Sequence, residues 1–173
     1  LVDGWEMACD RLQKRFMRGE SGPFILEPFC SGREFTVVVL EGKEGVMARP
    51  PTEIVLKERG GILDFRAKYL PTDRVCYRTP ATFSTEIHRA IQEQAEQLFT
   101  LFQARDFLRL DGWVMPEGRV FFTDCNPLSG LEQNSFFFQQ AAVLGWSHEE
   151  VLRKILENSS LRHHIPLLQT REK

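Results

Sequence analysis

Arg109-Leu110-Asp111-Gly112-Trp113-Val114-Met115-Pro116-Glu117-Gly118-Arg119-Val120-Phe121-Phe122-Thr123-Asp124-Cys125-Asn126 reads as two strands joined by a tight turn. Pro116-Glu117-Gly118 supplies the turn chemistry. If Met115 faces Val120 across that turn, Asp111 faces Asp124 and Arg109 faces Asn126. Side chains alternate faces along a strand, so all four polar groups share one face. Facing carboxylates repel unless something neutralises them. A divalent cation is the natural neutraliser. Two Asp and an Asn carbonyl are hard oxygen ligands suited to Mg²⁺, which takes its remaining ligands from water or a nucleotide's phosphates. A slip of one residue would separate the acids.

The 173 residues and net charge of −2 are one domain's worth of ordinary globular material, 42% hydrophobic and 27% charged. No basic excess points to nucleic acid, and no apolar run is long enough to cross a bilayer. Nothing at the start reads as a signal peptide, and the first residue, Leu1, suggests a trimmed or partial chain. Cys9, Cys30, Cys76 and Cys125 are widely spaced without a CxxC pair. They read as free thiols of a reducing, cytoplasmic compartment rather than as a disulfide framework or a zinc site.

A helix is expected after Asp3, with Glu6 three residues on and Trp5, Cys9, Leu12 and Phe16 at helical spacing. Phe24–Phe29 reads as a short apolar strand. Glu34–Leu40 is a strong β-forming run, and Gly45–Leu56 reads as one strand or two, interrupted by Pro50-Pro51. Lys57–Pro71 has no sustained periodicity and reads as a mobile loop of functional length. Ser84 is placed to cap a long helix with Ile87, Ile91, Ala95, Leu98 and Phe102 as its apolar stripe. A helix opening with three phenylalanines spans Ser135–Leu144, and Ser147 with Glu150 makes a capping box for another, ending near Asn158. The tail after Ser160 reads as frayed. His88, His148, His163 and His164 read as surface residues, and Cys125, facing away from the acids, as a small packed residue rather than a nucleophile.

Four motifs then stand in order: Glu27-Pro28-Phe29-Cys30-Ser31-Gly32-Arg33-Glu34-Phe35-Thr36-Val37, Arg66-Ala67-Lys68-Tyr69-Leu70, Arg109-Leu110-Asp111 and Asp124-Cys125-Asn126. In this order and spacing the chain resembles the D-alanine–D-alanine ligase-like family of the ATP-grasp superfamily, over about residues 24–156. The resemblance implies an α+β fold: the ATP-grasp C-terminal subdomain, a mostly antiparallel sheet with helices packed on one face. It places that subdomain portion at residues 1–160 and a tail at 161–173, with N-terminal and central domains lying outside these residues. It implies an ATP- and Mg²⁺-dependent carboxylate–amine ligase working through an acyl phosphate, with two Mg²⁺ ions, or Mn²⁺ in their place. Its partners are a small carboxylate and a small amine, with no nucleic acid and no membrane. Oligomeric state is open, a homodimer included.

By the same resemblance, Glu27 and the backbone at Pro28 and Phe29 match the adenine segment, and Glu34 matches the ribose-binding acid. Lys68 matches a lysine that reaches the phosphates. Asp111, Asp124 and Asn126 match the magnesium ligands. Arg109 matches the arginine that stabilises the acyl phosphate and the tetrahedral intermediate, and Gly130 and Ser135 match positions that hold the amino-acid substrate. Three departures stand out. Asp124 replaces a usual Glu, one methylene longer. Ser129-Gly130-Leu131-Glu132 replaces Pro-Gly-Met-Thr, so that Glu132 adds negative charge beside the amino-acid pocket. In the same stretch Phe138 stands where the family has a proline, and the third departure is that the family's N-terminal and central parts, with their further phosphate-binding lysines and glycine-rich loop, lie outside these residues. They leave a second reading open, a non-catalytic nucleotide-binding or regulatory domain derived from such a ligase. A third, an unrelated domain matching by chance, predicts no magnesium or nucleotide effect on melting.

Overall fold

The computed structural model describes residues 1–56 and 75–165. The expected loop at Lys57–Pro71, Lys68 with it, lies outside the described residues. The chain forms two compact units, Leu1–Ser31 and Gly32–Lys173.

In the first unit, helix α1 spans Gly4–Met17. Asp3 sits at its N-cap in extended backbone, but its side chain makes no capping bond, contrary to the sequence pattern. Phe16 meets Phe24 edge to face at 5.5 Å, and the Arg15 guanidinium lies over the same ring. Phe24–Phe29 joins no sheet, contrary to expectation. Pro23 and Pro28 lack N–H donors, so the segment cannot sustain a ladder.

The second unit carries, among the described residues, six strands and three helices. The strands are β1 (Arg33–Gly42), β2 (Gly45–Ala48), β3 (Thr52–Leu56), β4 (Val75–Arg78), β5 (Phe107–Val114) and β6 (Val120–Asn126). The helices are α2 (Thr85–Leu101), α3 (Phe136–Ala142) and α4 (His148–His163). The sheet runs β4-β3-β1-β5-β6 with β2 paired to β1, every pair antiparallel. The α+β class and the antiparallel sheet are as expected.

The helices, however, cover both faces rather than one. Phe35 to Leu40 are buried without interruption, which a sheet with one wet face does not allow. Phe35, Val37 and Val39 pack with Leu108 and Leu110 beneath Ile91, Ala95 and Phe99 of α2. Val38 and Leu40 pack on the opposite face with Phe137, Phe138 and Ala141 of α3 and Val151 of α4. The apolar stripe of α2 ends at Phe99, 1% exposed, while Phe102 beyond the helix end is 53% exposed. The Ser84 hydroxyl accepts the Ile87 N–H at 3.4 Å. The capping box of α4 forms both its bonds, and the helix runs to His163, past its expected end.

Pro50-Pro51 divides the Gly45–Leu56 run, so β2 and β3 lie in line along one edge of β1 with a gap between them. Gln140 of α3 fills part of that gap. Its Oε1 accepts the Val38 N–H at 2.8 Å, and its Nε2 donates to the Thr36 carbonyl at 3.0 Å and to Thr52 Oγ1 at 3.1 Å. The side-chain amide does what a peptide group of the missing strand would do, pairing the Val38 N–H and the Thr36 carbonyl.

Candidate functional site

The β5–β6 hairpin builds the site. Met115 N–H donates to the Arg119 carbonyl and Gly118 N–H to the Met115 carbonyl. Val120 therefore faces Val114, one residue off the expected partner, Met115. A bulge between Asp111 and Gly112 absorbs the difference. Beyond it Asp111 faces Asp124 and Arg109 faces Asn126, as the sequence pattern predicts. Gly112 makes the bulge feasible: a Cβ there would press on the Phe121 carbonyl and on the Phe35 ring.

The burial of β5 alternates strictly, with Leu108, Leu110, Gly112 and Val114 turned inward to α2. Arg109 and Asp111 therefore stand on the opposite face, the one that α3 and α4 partly cover. Arg109 grips Asp111 with a two-pronged fork, Nε to Oδ1 and Nη2 to Oδ2, each 3.1 Å. The Asn126 amide nitrogen donates to Asp111 Oδ2 and to Asp124 Oδ2, both at 3.1 Å. Cys125 N–H holds Asp124 Oδ1 at 2.9 Å. Arg109 and Asp111 side chains are 19% and 17% exposed, and Asp124 is exposed.

This donor set fits Mg²⁺. Two carboxylate oxygens converge on one side-chain amide, and Asp111, Asp124 and the Asn126 carbonyl oxygen would hold the ion as hard oxygen donors. A cation there would also turn the amide of Asn126 around, since its carbonyl oxygen then faces positive charge. The Asp111 oxygens now on Arg109 would pass to the metal. Among the described residues no group of three or more His, Cys, Asp or Glu forms a metal cluster, so the centre rests on two carboxylates and one amide.

Glu34 lies on the same face, paired with Trp113 of β5 and Ile54 of β3. Tyr77 of β4 faces Ile54. Burial, and then the charge of Glu34, push the Tyr77 phenol up, and its ring meets Phe136 at 5.0 Å. Glu27, Pro28 and Phe29 belong to the first unit and are exposed. Cys125 is exposed, not packed, because β6 is an edge strand. Burial and the neighbouring Asp124 raise its thiol, which argues against a nucleophile.

On the loop before α3, the Glu132 carboxylate folds back against Gly130. Ser135 stands at the N-cap position of α3, yet its hydroxyl makes no capping bond. That oxygen is buried without a partner. Sequence reasoning missed Gln140 and Tyr77, whose neighbours come from distant strands. It also missed Thr36, a buried residue in the row of Asp111 and Asp124.

A family model described as the C-terminus of D-Ala–D-Ala ligase matches residues 11–157. The chain belongs to that family. A D-alanine–D-alanine ligase of Parabacteroides distasonis is 32% identical over 142 residues, 81% of this chain and 41% of the relative. That of Desulfotalea psychrophila is 27% identical over 139 residues, 79% of this chain and 42% of the relative. Among solved structures, a D-Ala:D-Ser ligase from Enterococcus faecalis superposes with a TM-score of 0.64 at 25% identity, covering 76% of this chain and 37% of that one. The Coxiella burnetii D-alanine–D-alanine ligase gives 0.69 at 21% identity over 95% and 42%, a likeness of fold. The D-Ala–D-Ala ligase C-terminal portion seen here thus spans less than half the length of these relatives.

Proposed function

We propose that this chain is the C-terminal ATP-grasp portion of an ATP- and Mg²⁺-dependent carboxylate–amine ligase. The single observation that carries the reading is the Arg109–Asp111–Asp124–Asn126 constellation, assembled by one bulged hairpin. Family membership supports it.

Asp111, Asp124 and Asn126 would hold the metal, two ions in the full reading, with Mn²⁺ as a substitute. Bound there, the metal supplies charge cancellation between phosphate oxygens. Glu27 with the backbone at Pro28 and Phe29 would take the adenine, Glu34 the ribose hydroxyls and Lys68 the phosphates. A substrate carboxylate attacks the γ-phosphorus, releasing ADP, and an amine then displaces phosphate from the acyl phosphate to give an amide. Arg109, released from Asp111 by the metal, would meet the oxyanion that grows on the carbonyl. A preorganised donor of that kind is worth about 3–4 kcal/mol. Gly130 and the partnerless Ser135 hydroxyl would face the amino-acid substrate, the latter with a hydrogen bond still to give. Upstream domains would supply the other wall, because both reactants must be positioned for the chemistry. Free cysteines and the lack of any described helix able to span a membrane agree with a cytoplasmic setting.

In the complete protein, Asp111→Asn and Arg109→Ala should each lower phosphate release by about 10²–10³-fold. Unchanged turnover in both ends this reading. A second reading, a non-catalytic nucleotide-binding domain, is favoured by the Glu132 carboxylate lying on Gly130, where it opposes an amino-acid carboxylate. Calorimetry showing ATP and Mg²⁺ binding, with no phosphate release over a panel of amino acids, would select it.

A further inference from the structure

Thr36 is 1% exposed, and its hydroxyl oxygen has no hydrogen-bond partner. A buried hydroxyl without a partner is uncommon and calls for a reason. Its place in the sheet supplies one. Thr36 of β1 pairs with Asp111 of β5, which pairs with Asp124 of β6. Directly opposed residues share a face, with Cβ atoms about 4.5–5.5 Å apart. The orphan hydroxyl therefore neighbours the carboxylate at the heart of the proposed metal centre.

The other polar groups nearby are committed. Thr52, on the far side of Thr36, exchanges a hydrogen bond with Thr79 at 2.6 Å and accepts one from Gln140. Gln140 spends its amide on Val38, Thr36 backbone and Thr52. The Thr123 hydroxyl donates to the Asp111 main-chain carbonyl at 3.3 Å. Arg109 and Asn126 hold Asp111. Were a cation to take up the Asp111 oxygens, both donors would give way, and the carboxylate would need another hydrogen bond to fix its angle.

We propose that Thr36 is a positioning residue for this centre: its hydroxyl takes up Asp111 when a divalent cation displaces Arg109. The inference rests on the metal-binding reading above. It explains why a Thr, rather than the isosteric Val that fills positions 37–39, occupies this buried site. Partners of this kind fix ligand orientation, and their loss costs metal affinity.

The test is Mn²⁺ binding by calorimetry to the complete protein at fixed ADP, together with melting without divalent cation. Thr36→Val should raise the half-saturating Mn²⁺ about tenfold, while its cation-free melting temperature stays equal or rises, since an unpaired hydroxyl is removed. Thr36→Ser should restore binding to near the parent's. Asp111→Asn should abolish it. If Thr36→Val binds Mn²⁺ like the parent while Asp111→Asn does not bind, the inference falls and the metal reading stands. If Thr36→Val melts lower without cation, the hydroxyl is bonded there and the inference also falls. If the parent binds no Mn²⁺, both fall.

Discussion

Glu53 of β3 has its side chain 5% exposed and holds Arg33 Nε at 2.7 Å and the Thr82 hydroxyl at 2.8 Å. Burial works to raise its carboxyl, but the bonds from Arg33 and Thr82 outweigh it and keep the group below the usual carboxylate range. The native state then binds fewer protons than the unfolded chain in acid. The stabilisation is present above about pH 4.3, the unfolded value, and is lost as the pH falls through the folded one. Glu53→Gln should melt lower at pH 7 and show a shallower decline in melting temperature below pH ~4.3. An unchanged acid limb would show that the cluster does not couple to folding. Arg49 is the contrasting case, 2% exposed and stacked on Trp146 at 4.0 Å. Burial pulls its guanidinium down to about 10. Neither was legible in the sequence, for an isolated Glu or Arg carries no sign of its partners.

At the scale of elements, the hairpin was largely legible. Polar alternation and Pro-Glu-Gly chemistry placed both strands and the facing of Asp111 with Asp124. The bulge was not legible, because the ladder shift is set by the close approach of Gly112 to Phe121 and to Phe35 of another strand. Gly112→Ala should cost about 1–3 kcal/mol by overpacking, seen as a drop of several degrees in melting temperature. Activity of the complete protein should fall further than stability explains, since relief of the clash moves Asp111 out of line with Asp124. Equal activity per folded molecule would show that the bulge tolerates a methyl group. The capping box of α4 was read correctly because its signal is local, three residues apart. The side-chain bond missing at Asp3, which does stand at the N-cap of α1, and the absent strand at Phe24–Phe29 show the limit of the same local signals.

At the scale of the second unit, α4 closes the fold by returning to the sheet. Arg162 forks onto Asp106, at 2.6 and 3.1 Å, and approaches Glu41. Asn158 donates to the Glu41 carbonyl at 2.6 Å. These contacts tie the last described helix to the β1 and β5 ends opposite the hairpin turn. Arg162→Met and Asp106→Asn should each destabilise, and their double-mutant cycle should give a coupling of about 0.5–3 kcal/mol. Strict additivity would mean that the fork adds nothing beyond its separate halves. On the face that α3 and α4 partly cover, the cross-strand row runs from the buried Thr36 through Asp111 to the exposed Asp124, with Glu34 two residues along β1. The neighbouring part of that face is filled by Val38, Leu40, Phe137 and Phe138.

By itself the sequence determined the family, the α+β class and most elements of the second unit, β4 excepted, and it pointed to Asp111 facing Asp124, because these rest on periodicity, turn chemistry and ordered motifs that act over a few neighbours. Only the tertiary structure decided that helices cover both faces, that Gln140 bridges a gap 102 residues away, that Glu132 lies on Gly130, and that Thr36 waits unbonded beside Asp111. Those outcomes depend on which distant surfaces meet, and burial and hydrogen-bond satisfaction act on surfaces that no local stretch of residues specifies.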